Sequence, residues 1–231
     1  MTRTSGRRAP LLAAALVALG VLVAAGVWWR YGADDGAAAR DTARPARPGP
    51  GSTPLDLELL DWRNAVIPGG LCRHEGSIRL RDGTATGVSS AFDGPEPHMP
   101  QDVSVFTREV AYGDLTGDGR WEAAVPVMCA NHGSTAAGQR AMGVMVFDGA
   151  DGRLRLVGTL LSQQPRGGEP PNMITVTKIA PGSVTALEGF YGPADANCCA
   201  TGKAESTWRY THGRLTPEGS IVRVTPSPMP R

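Results

Sequence analysis

Short apolar runs, each followed by turn-forming residues, dominate the chain from residue 55 onward. Apolar and polar residues alternate in the segments MITVTKI and STWRY, as they do in strands that bury one face. The pattern predicts a mainly β domain, built as an antiparallel β-sandwich or an open meander. The predicted strands cover residues 77–80, 84–88, 103–112, 122–129, 142–147, 154–161, 174–179, 184–190, 207–210, 215–216 and 221–224.

Four dipeptides between these runs predict tight hairpin turns. They are Asp82-Gly83, Asp151-Gly152, Pro181-Gly182 and His212-Gly213. The first of them predicts that strands 77–80 and 84–88 pair with each other. A short helix is predicted over residues 55–65. A propeller is not predicted, because a propeller repeats its blade motif and the segment GDLTGDG occurs once.

The N-terminal part of the chain differs in kind from this domain. Three arginines lie within residues 1–10, and residues 11–29 form an apolar run of 19 residues without charge. A helix of that length spans a bilayer core of about 30 Å. Trp28 and Trp29 at its end, and Tyr31 just after it, are aromatic residues typical of a membrane interface. We expect a single transmembrane signal anchor at residues 11–29, with residues 1–10 in the cytoplasm.

Cleavage of this segment as a signal peptide is the alternative, because Ala24-Ala25-Gly26 has the small residues of a cleavage site. The domain would then be secreted instead of anchored in the cell membrane. Residues 30–54 combine Pro, Gly, Ala and charged residues without an apolar period, and therefore predict a disordered linker. Residues 55–231 have the length of one domain, which we expect to lie outside the cytoplasm.

The distribution of charge bears on the partner. The whole chain has a formal net charge of +1, but residues 55–231 carry 16 Lys and Arg against 19 Asp and Glu, a net charge of −3. A mildly acidic domain without a basic stripe argues against nucleic acid as a partner. The expected partners are the membrane, through the N-terminal helix, and a protein or glycan of the cell envelope.

All four cysteines, Cys72, Cys129, Cys198 and Cys199, fall in the predicted extracytoplasmic domain. An even number in an oxidising compartment predicts two disulfide bonds. Because adjacent cysteines seldom bond each other, we expect Cys198 and Cys199 to bridge to Cys72 and Cys129, in either order. The alternative is a zinc site, since Cys129 and His132 have the spacing of metal ligands and the Cys198-Cys199 pair completes a set.

The segment GDLTGDGRWE forms an acidic loop ahead of an apolar run. Its oxygen ligands alternate as in a calcium loop, with Asp114, Thr116, Asp118 and Glu122 by side chain and Arg120 by its backbone carbonyl. An EF-hand is excluded, because its twelfth position is Val125 instead of glutamate. The alternative is a plain turn, in which Gly117 and Gly119 adopt positive φ and the aspartates cap the backbone. The sequence favours the turn. We therefore expect no cofactor, with calcium at this loop as the alternative.

No set of catalytic residues emerges from the sequence. A G-x-S-x-G motif is absent, His74-Glu75 has no second zinc-binding histidine nearby, and His98 and His212 stand alone. Ser134 follows His132 closely and raises the alternative of a hydrolase. A hydrolase predicts a pocket that holds His132 beside a carboxylate with a perturbed pKa. A binding module predicts an exposed aromatic patch, with Trp62, Trp121 or Trp208 as candidates.

Three segments together resemble a known family. They are GDLTGDGRWEAAVPVMCANHG, VFDGADGRLRLVGTL and FYGPADANCCATGKAESTWRY. They resemble the actinobacterial LppP/LprE-type lipoproteins over residues 62–224, and the acidic loop also resembles the loops of FG-GAP repeats. The chain departs from the lipoproteins in having no lipobox cysteine, and in Ala200 where relatives often have proline after Cys-Cys. The resemblance implies an envelope location and a β-rich fold, without an activity.

Together these observations predict a membrane-anchored extracytoplasmic domain that acts as a non-catalytic binding or interaction module of the cell envelope. One alternative is a secreted or envelope hydrolase with a site near His132. The other is an adhesion-like domain that calcium stabilises weakly.

Overall fold

A computed structural model describes residues 53–92, 100–133, 138–168, 170–218 and the backbone of 222–224. The predicted anchor at residues 11–29 and nearly all of the linker at 30–54 lie outside these residues. Among the residues described, no helix is long and apolar enough to cross a membrane.

The domain is mainly β, as predicted, and its strands pair antiparallel. β1 and β2 form a two-stranded sheet. A six-stranded sheet has the order β3-β4-β6-β7-β8, with β5 paired to β6, and a five-stranded sheet has the order β12-β11-β10-β9, with β13 paired to β11. The strands are β1 Val66–Pro68, β2 Ser77–Arg79, β3 Thr84–Ser89, β4 Pro100–Val105, β5 Ala111–Gly113, β6 Glu122–Asn131, β7 Gln139–Asp148, β8 Arg155–Leu160, β9 Met173–Ala180, β10 Ser183–Phe190, β11 Gly202–Thr211, β12 Arg214–Pro217 and β13 Val222–Val224.

The six-stranded sheet carries an apolar core on each face. Because side chains alternate along a strand, β6 sends Val125 and Val127 into the first core and Ala124 into the second. The first core also holds Trp62, whose ring lies 5.4 Å from that of Phe147. The second core lies between this sheet and the five-stranded sheet.

The helix predicted over residues 55–65 is wrong. The structure has only a 3-10 turn at Trp62–Asn64, where the Asp61 side chain accepts the N–H of Arg63 at 3.1 Å. Further 3-10 turns lie at Gly70–Cys72 and Thr107–Glu109. An α-helix is not built here because residues 55–60 follow an irregular path with bends at 57–60, in which Leu57 is buried in the first core and Leu55 and Leu60 pack against it.

The single strand predicted over residues 103–112 is also wrong. The chain breaks at Thr107–Glu109, between β4 and β5. Both strands pair with β6, but Val105 lies opposite Val127 and Ala111 opposite Ala124. Pro126 lies between these two partners, and proline has no N–H to donate to a neighbouring strand. The break therefore falls where the sheet lacks a donor.

Three of the four predicted hairpins form as expected, at Asp151-Gly152, Pro181-Gly182 and His212-Gly213. The turn at Asp82-Gly83 also forms, with φ values of +51° and +86°. The pairing predicted for its strands is nevertheless wrong. Next to the turn, Arg81 and Thr84 form an isolated β-bridge. Beyond this bridge, β2 pairs with β1 and β3 pairs with β4 instead of with each other.

Candidate functional site

The acidic loop joins β5 to β6 and is organised by the side chain of Asp114. Oδ1 of Asp114 accepts the N–H of Gly117 at 2.7 Å and that of Asp118 at 3.1 Å, while Oδ2 accepts the N–H of Gly119 at 3.0 Å. Gly117 and Gly119 have φ values of +78° and +82°, a conformation that side chains disfavour. Asp114 therefore closes the loop around its own backbone.

Glu122, at the end of the loop, turns its carboxylate inward. It is only 1 % exposed, and its Oε2 accepts the N–H of Leu115 at 2.6 Å and that of Thr116 at 3.0 Å. Burial raises the pKa of Glu122; the two amide hydrogen bonds oppose the rise, and the negative charges of Asp148 and Asp118 add to it. Glu122 is thus an internal acceptor for the loop.

The remaining predicted calcium ligands also make contacts within the loop. Oδ1 of Asp118 accepts the N–H of Arg120 at 2.9 Å, and its other oxygen pairs with the Arg120 guanidinium. Thr116 Oγ1 lies 3.4 Å from Oε1 of Glu122. Within the part of the chain that the structure describes, no group of three or more His, Cys, Asp or Glu side chains could hold a metal ion. Calcium binding at this loop stays the untested alternative to a plain turn.

The loop is fastened to the five-stranded sheet. The side chain of Leu115 is buried in the second core, and its carbonyl accepts the N–H of Gly182 at 2.8 Å. A Cβ on Gly113 would lie 2.7 Å from Cβ of Ile179, so only glycine fits this approach. The acidic loop therefore packs on the turn between β9 and β10 and joins the two larger sheets.

A groove of about 310 Å³ runs beside the outer end of the loop. Residues 54–58 form one wall, and Gly119, Arg120 and Trp121 form the other. Trp121 is 51 % exposed, whereas Trp62 and Trp208 are 4 % and 2 % exposed in the two cores. Of the three tryptophans considered from the sequence, Trp121 alone is on the surface.

His132 lies beside a carboxylate that sequence reasoning missed. Its Nδ1 is 2.7 Å from Oδ1 of Asp102 on β4, while Oδ2 accepts the N–H of Gly133 at 3.2 Å. Burial opposes ionisation of Asp102, but hydrogen bonds from His132, Gly133 and Gly87 outweigh it and lower its pKa. Asp102 lies between two buried residues of β4, so the alternation of the strand places its side chain on the exposed face. No local feature of the sequence indicates that it meets His132. Ser134 lies outside the described residues.

The prediction that Cys198 and Cys199 bridge to Cys72 and Cys129 is wrong. The structure joins Cys72 to Cys129, with 5.6 Å between their Cα atoms, and Cys198 to Cys199. Cys72 and Cys129 are both buried in the first core, out of reach of the exposed Cys198-Cys199 pair. All four sulfurs are in disulfides, which contradicts the zinc hypothesis for Cys129, His132 and the adjacent pair.

The Cys198-Cys199 pair lies in the exposed loop between β10 and β11, which Asp195 closes. Oδ2 of Asp195 accepts the N–H of Thr201 at 2.9 Å and that of Gly192 at 2.7 Å. These backbone hydrogen bonds, first from Thr201 and then from Gly192, lower the pKa of Asp195. The loop is held in a compact shape in which Cys199 N–H donates to Ala196.

Sequence reasoning also missed a buried carboxylate at the end of the second core. Glu188 on β10 has no exposed surface. Its carboxylate accepts hydrogen bonds from the hydroxyls of Ser162 and Ser206 and from the N–H groups of Gln163 and Gln164. Glu188 thus anchors the segment after β8 onto the five-stranded sheet. Only the alternation of β10, with Val184 and Ala186 inward, could have indicated that it is buried.

No family model, no curated protein and no solved structure matches this chain. Function is therefore inferred from the contacts among the described residues. The resemblance of three segments to LppP/LprE-type lipoproteins stays an expectation from the sequence.

Proposed function

We propose that the domain is a non-catalytic binding module of the cell envelope that takes a glycan in the groove at Trp121. The observation that carries the proposal is the 51 % exposure of this tryptophan on a groove wall. An indole offers a large, rigid contact area with one polar edge, and such residues dominate the energy of many binding sites.

The polar residues of the groove favour a glycan over an apolar ligand. Asp56, Glu58 and Arg120 line it together with Trp121. The carboxylate of Glu58 has no hydrogen-bond partner among the residues described, and a carboxylate accepts hydrogen bonds from hydroxyls. An aromatic face beside free acceptors suits a sugar ring, which has apolar C–H faces and a polar rim.

The test is binding of the full chain, solubilised in detergent, to soluble fragments of bacterial cell-wall glycan. Calorimetry should detect binding by the wild type and little or none by Trp121→Ala, while Trp121→Phe should retain part of it. Leu161→Ala is the matched control, because Leu161 is 49 % exposed and does not line the groove. Equal binding by the wild type and Trp121→Ala, with equal melting temperatures, would contradict the proposal.

We also propose that residues 11–29 anchor this module in the cell membrane and that residues 30–54 tether it outside the cytoplasm. The uncharged apolar run of 19 residues supports the anchor. The two disulfides support an oxidising compartment. An envelope location is also what the resemblance to LppP/LprE-type lipoproteins implies.

A hydrolase is the second candidate, and the 2.7 Å contact between His132 and Asp102 favours it. A carboxylate that orients Nδ1 leaves Nε2 of the histidine to act as a base. The test is hydrolysis of a panel of ester and amide substrates by the full chain. Activity that is lost in both His132→Ala and Asp102→Asn would support the hydrolase, and its absence in the wild type would favour the binding module.

The acidic loop is, in our proposal, chiefly structural. Asp114 and Glu122 already accept five backbone N–H bonds between them. A calcium ion would compete with these donors for the same oxygens.

A further inference from the structure

The two disulfides of the domain differ in what surrounds them. Cys72 and Cys129 are 1 % and 0 % exposed, and both lie in the first core. Cys198 and Cys199 are both exposed, in the loop between β10 and β11. Thiol–disulfide exchange begins when a thiolate reaches a sulfur of the bond, so access decides which bond reacts. A thiol in solution therefore reaches the Cys198–Cys199 bond of the folded domain but not the Cys72–Cys129 bond.

The loop that carries the exposed bond is closed by contacts other than that bond. Phe190 and Gly202 pair at its base, at the end of β10 and the start of β11. The hydroxyl of Tyr191 donates to the Asn197 carbonyl at 3.1 Å, and Tyr191 itself is buried. The side chain of Asp195 accepts backbone N–H groups from both sides of the loop. Because these contacts hold the loop, we expect its residues to stay in place when the bond opens.

The exposed bond also contributes little to stability. A disulfide stabilises a fold mainly by closing a loop of chain in the unfolded state. Cys198 and Cys199 are neighbours in sequence, whereas Cys72 and Cys129 are 57 residues apart. The buried bond therefore has the structural task. Exposed disulfides, by contrast, are the ones that are reduced readily and that serve regulation or catalysis.

The adjacency of the two cysteines selects the class of reductant. When a thiolate attacks one sulfur, the other cysteine leaves as a thiolate beside the new mixed disulfide. It stays there, because one peptide unit holds the Cα atoms of Cys198 and Cys199 3.8 Å apart. A monothiol is therefore expelled again by the neighbouring cysteine. A dithiol avoids this reversal, because its second thiol attacks its own sulfur in the mixed disulfide and the reductant leaves as a closed disulfide.

We propose that the Cys198–Cys199 bond is a site of thiol–disulfide exchange with the dithiol of a partner protein. The S–S bond between Cys198 and Cys199 breaks as it accepts two electrons, and a new S–S bond forms between the two sulfurs of the partner. The two protons of the partner's thiols pass to Cys198 and Cys199, which become thiols. The Cys72–Cys129 bond stays intact throughout. This site is independent of the groove at Trp121.

The test is reduction of the full chain in detergent by reduced thioredoxin, used as a protein dithiol. Samples are quenched with an alkylating reagent, and peptide mass spectrometry locates the modified cysteines. We expect Cys198 and Cys199 to be modified at least about a hundredfold faster than Cys72 and Cys129, whose sulfurs become accessible only when the domain opens. The Cys198→Ser, Cys199→Ser double variant is the matched control, and it should leave the thioredoxin reduced over the same time.

Two further measurements separate an exchange site from a structural bond. At equal thiol concentration, dithiothreitol should open the Cys198–Cys199 bond, whereas the monothiol 2-mercaptoethanol should leave neither free thiols nor a lasting mixed disulfide. The chain reduced at Cys198 and Cys199 should melt within about 3 °C of the oxidised chain. Equal rates of reduction for the two disulfides, a large fall in melting temperature on opening the exposed bond, or no reduction by excess thioredoxin would overturn the proposal.

Discussion

Leu115 donates its N–H to the buried carboxylate of Glu122 at 2.6 Å, while the side chain of the same leucine lies in the second core. Its carbonyl accepts the N–H of Gly182 from the neighbouring sheet. One residue of the acidic loop is therefore held from three directions. This arrangement gives the loop a structural task whether or not an ion binds there.

Replacing Asp114 with alanine should lower the free energy of unfolding by about 2 kcal/mol, because three loop amides lose their acceptor. Urea denaturation in a chelator measures the change. Asp114→Asn keeps one acceptor oxygen and should lose less. A loss that appears only in the presence of calcium would show that the aspartate acts through a metal.

Millimolar calcium should raise the melting temperature of the wild type by no more than about 2 °C. A site with a millimolar dissociation constant adds only about 0.4 kcal/mol at an equal calcium concentration. Scanning calorimetry in chelator and in calcium makes the comparison, with Asp118→Ala as the matched variant. A rise of many degrees that Asp118→Ala abolishes would contradict a structural loop.

The raised pKa of Glu122 predicts a pH dependence of a definite sign. Because the folded pKa lies above its ordinary value of 4.5, protonation favours the folded state. The stability due to this proton is complete below pH 4.5 and is lost as the pH rises through the folded pKa. Relative to Glu122→Gln, the wild type should therefore become less stable as the pH rises above 4.5. Urea midpoints across this range test it, and a difference that does not vary with pH would count against the shift.

The two disulfides should contribute unequally to stability. The Cys72–Cys129 bond joins residues 57 apart in sequence, and removing it by double substitution with serine should lower the free energy of unfolding by about 4 kcal/mol. The Cys198–Cys199 bond closes no long loop, so its removal should change this energy by less than about 1 kcal/mol. Peptide mapping without reductant should recover both bonds, and a bond from Cys199 to Cys129 would refute the pairing.

Residues 11–29 should remain attached to the mature protein in the membrane fraction. The apolar run has the length of a membrane-spanning helix, and aromatic residues follow it. Intact-mass measurement after detergent extraction determines the N-terminus. A mature chain that begins at or near Val27 would establish cleavage instead.

Local signals predicted local structure well. The His212-Gly213 turn and the strands on either side of it follow from a short pattern of residues, because a two-residue turn with positive φ needs few contacts elsewhere. The separation of β2 from β3 could not be predicted in this way. It goes with the pairing of β2 to β1 and of β3 to β4, and both of these partner strands lie outside the segment that the Asp82-Gly83 turn connects.

The candidate sites were harder to predict for the same reason. Asp102 and His132 are 30 residues apart and meet only because β4 pairs with β6. Trp62 and Trp121 look alike in sequence, since charged or polar residues flank both. Burial separates them, because the N–H of the Trp62 indole finds acceptors in the core at Leu57 and Tyr112.

The two cores on β6 create a problem of strand alignment. Residues 123–127 of this strand are buried on both faces of the sheet. If β6 shifted by one residue against its neighbouring strands, these apolar side chains would change from one core to the other and would still avoid water. Burial alone cannot select the correct alignment of such a strand. Three residues of β6 select the alignment. Glu122 must accept hydrogen bonds from the loop amides, and Pro126 must face the gap between β4 and β5. Cys129 must lie within bonding distance of Cys72. The polar and covalent contacts of β6 thus choose among arrangements that its apolar residues would accept equally.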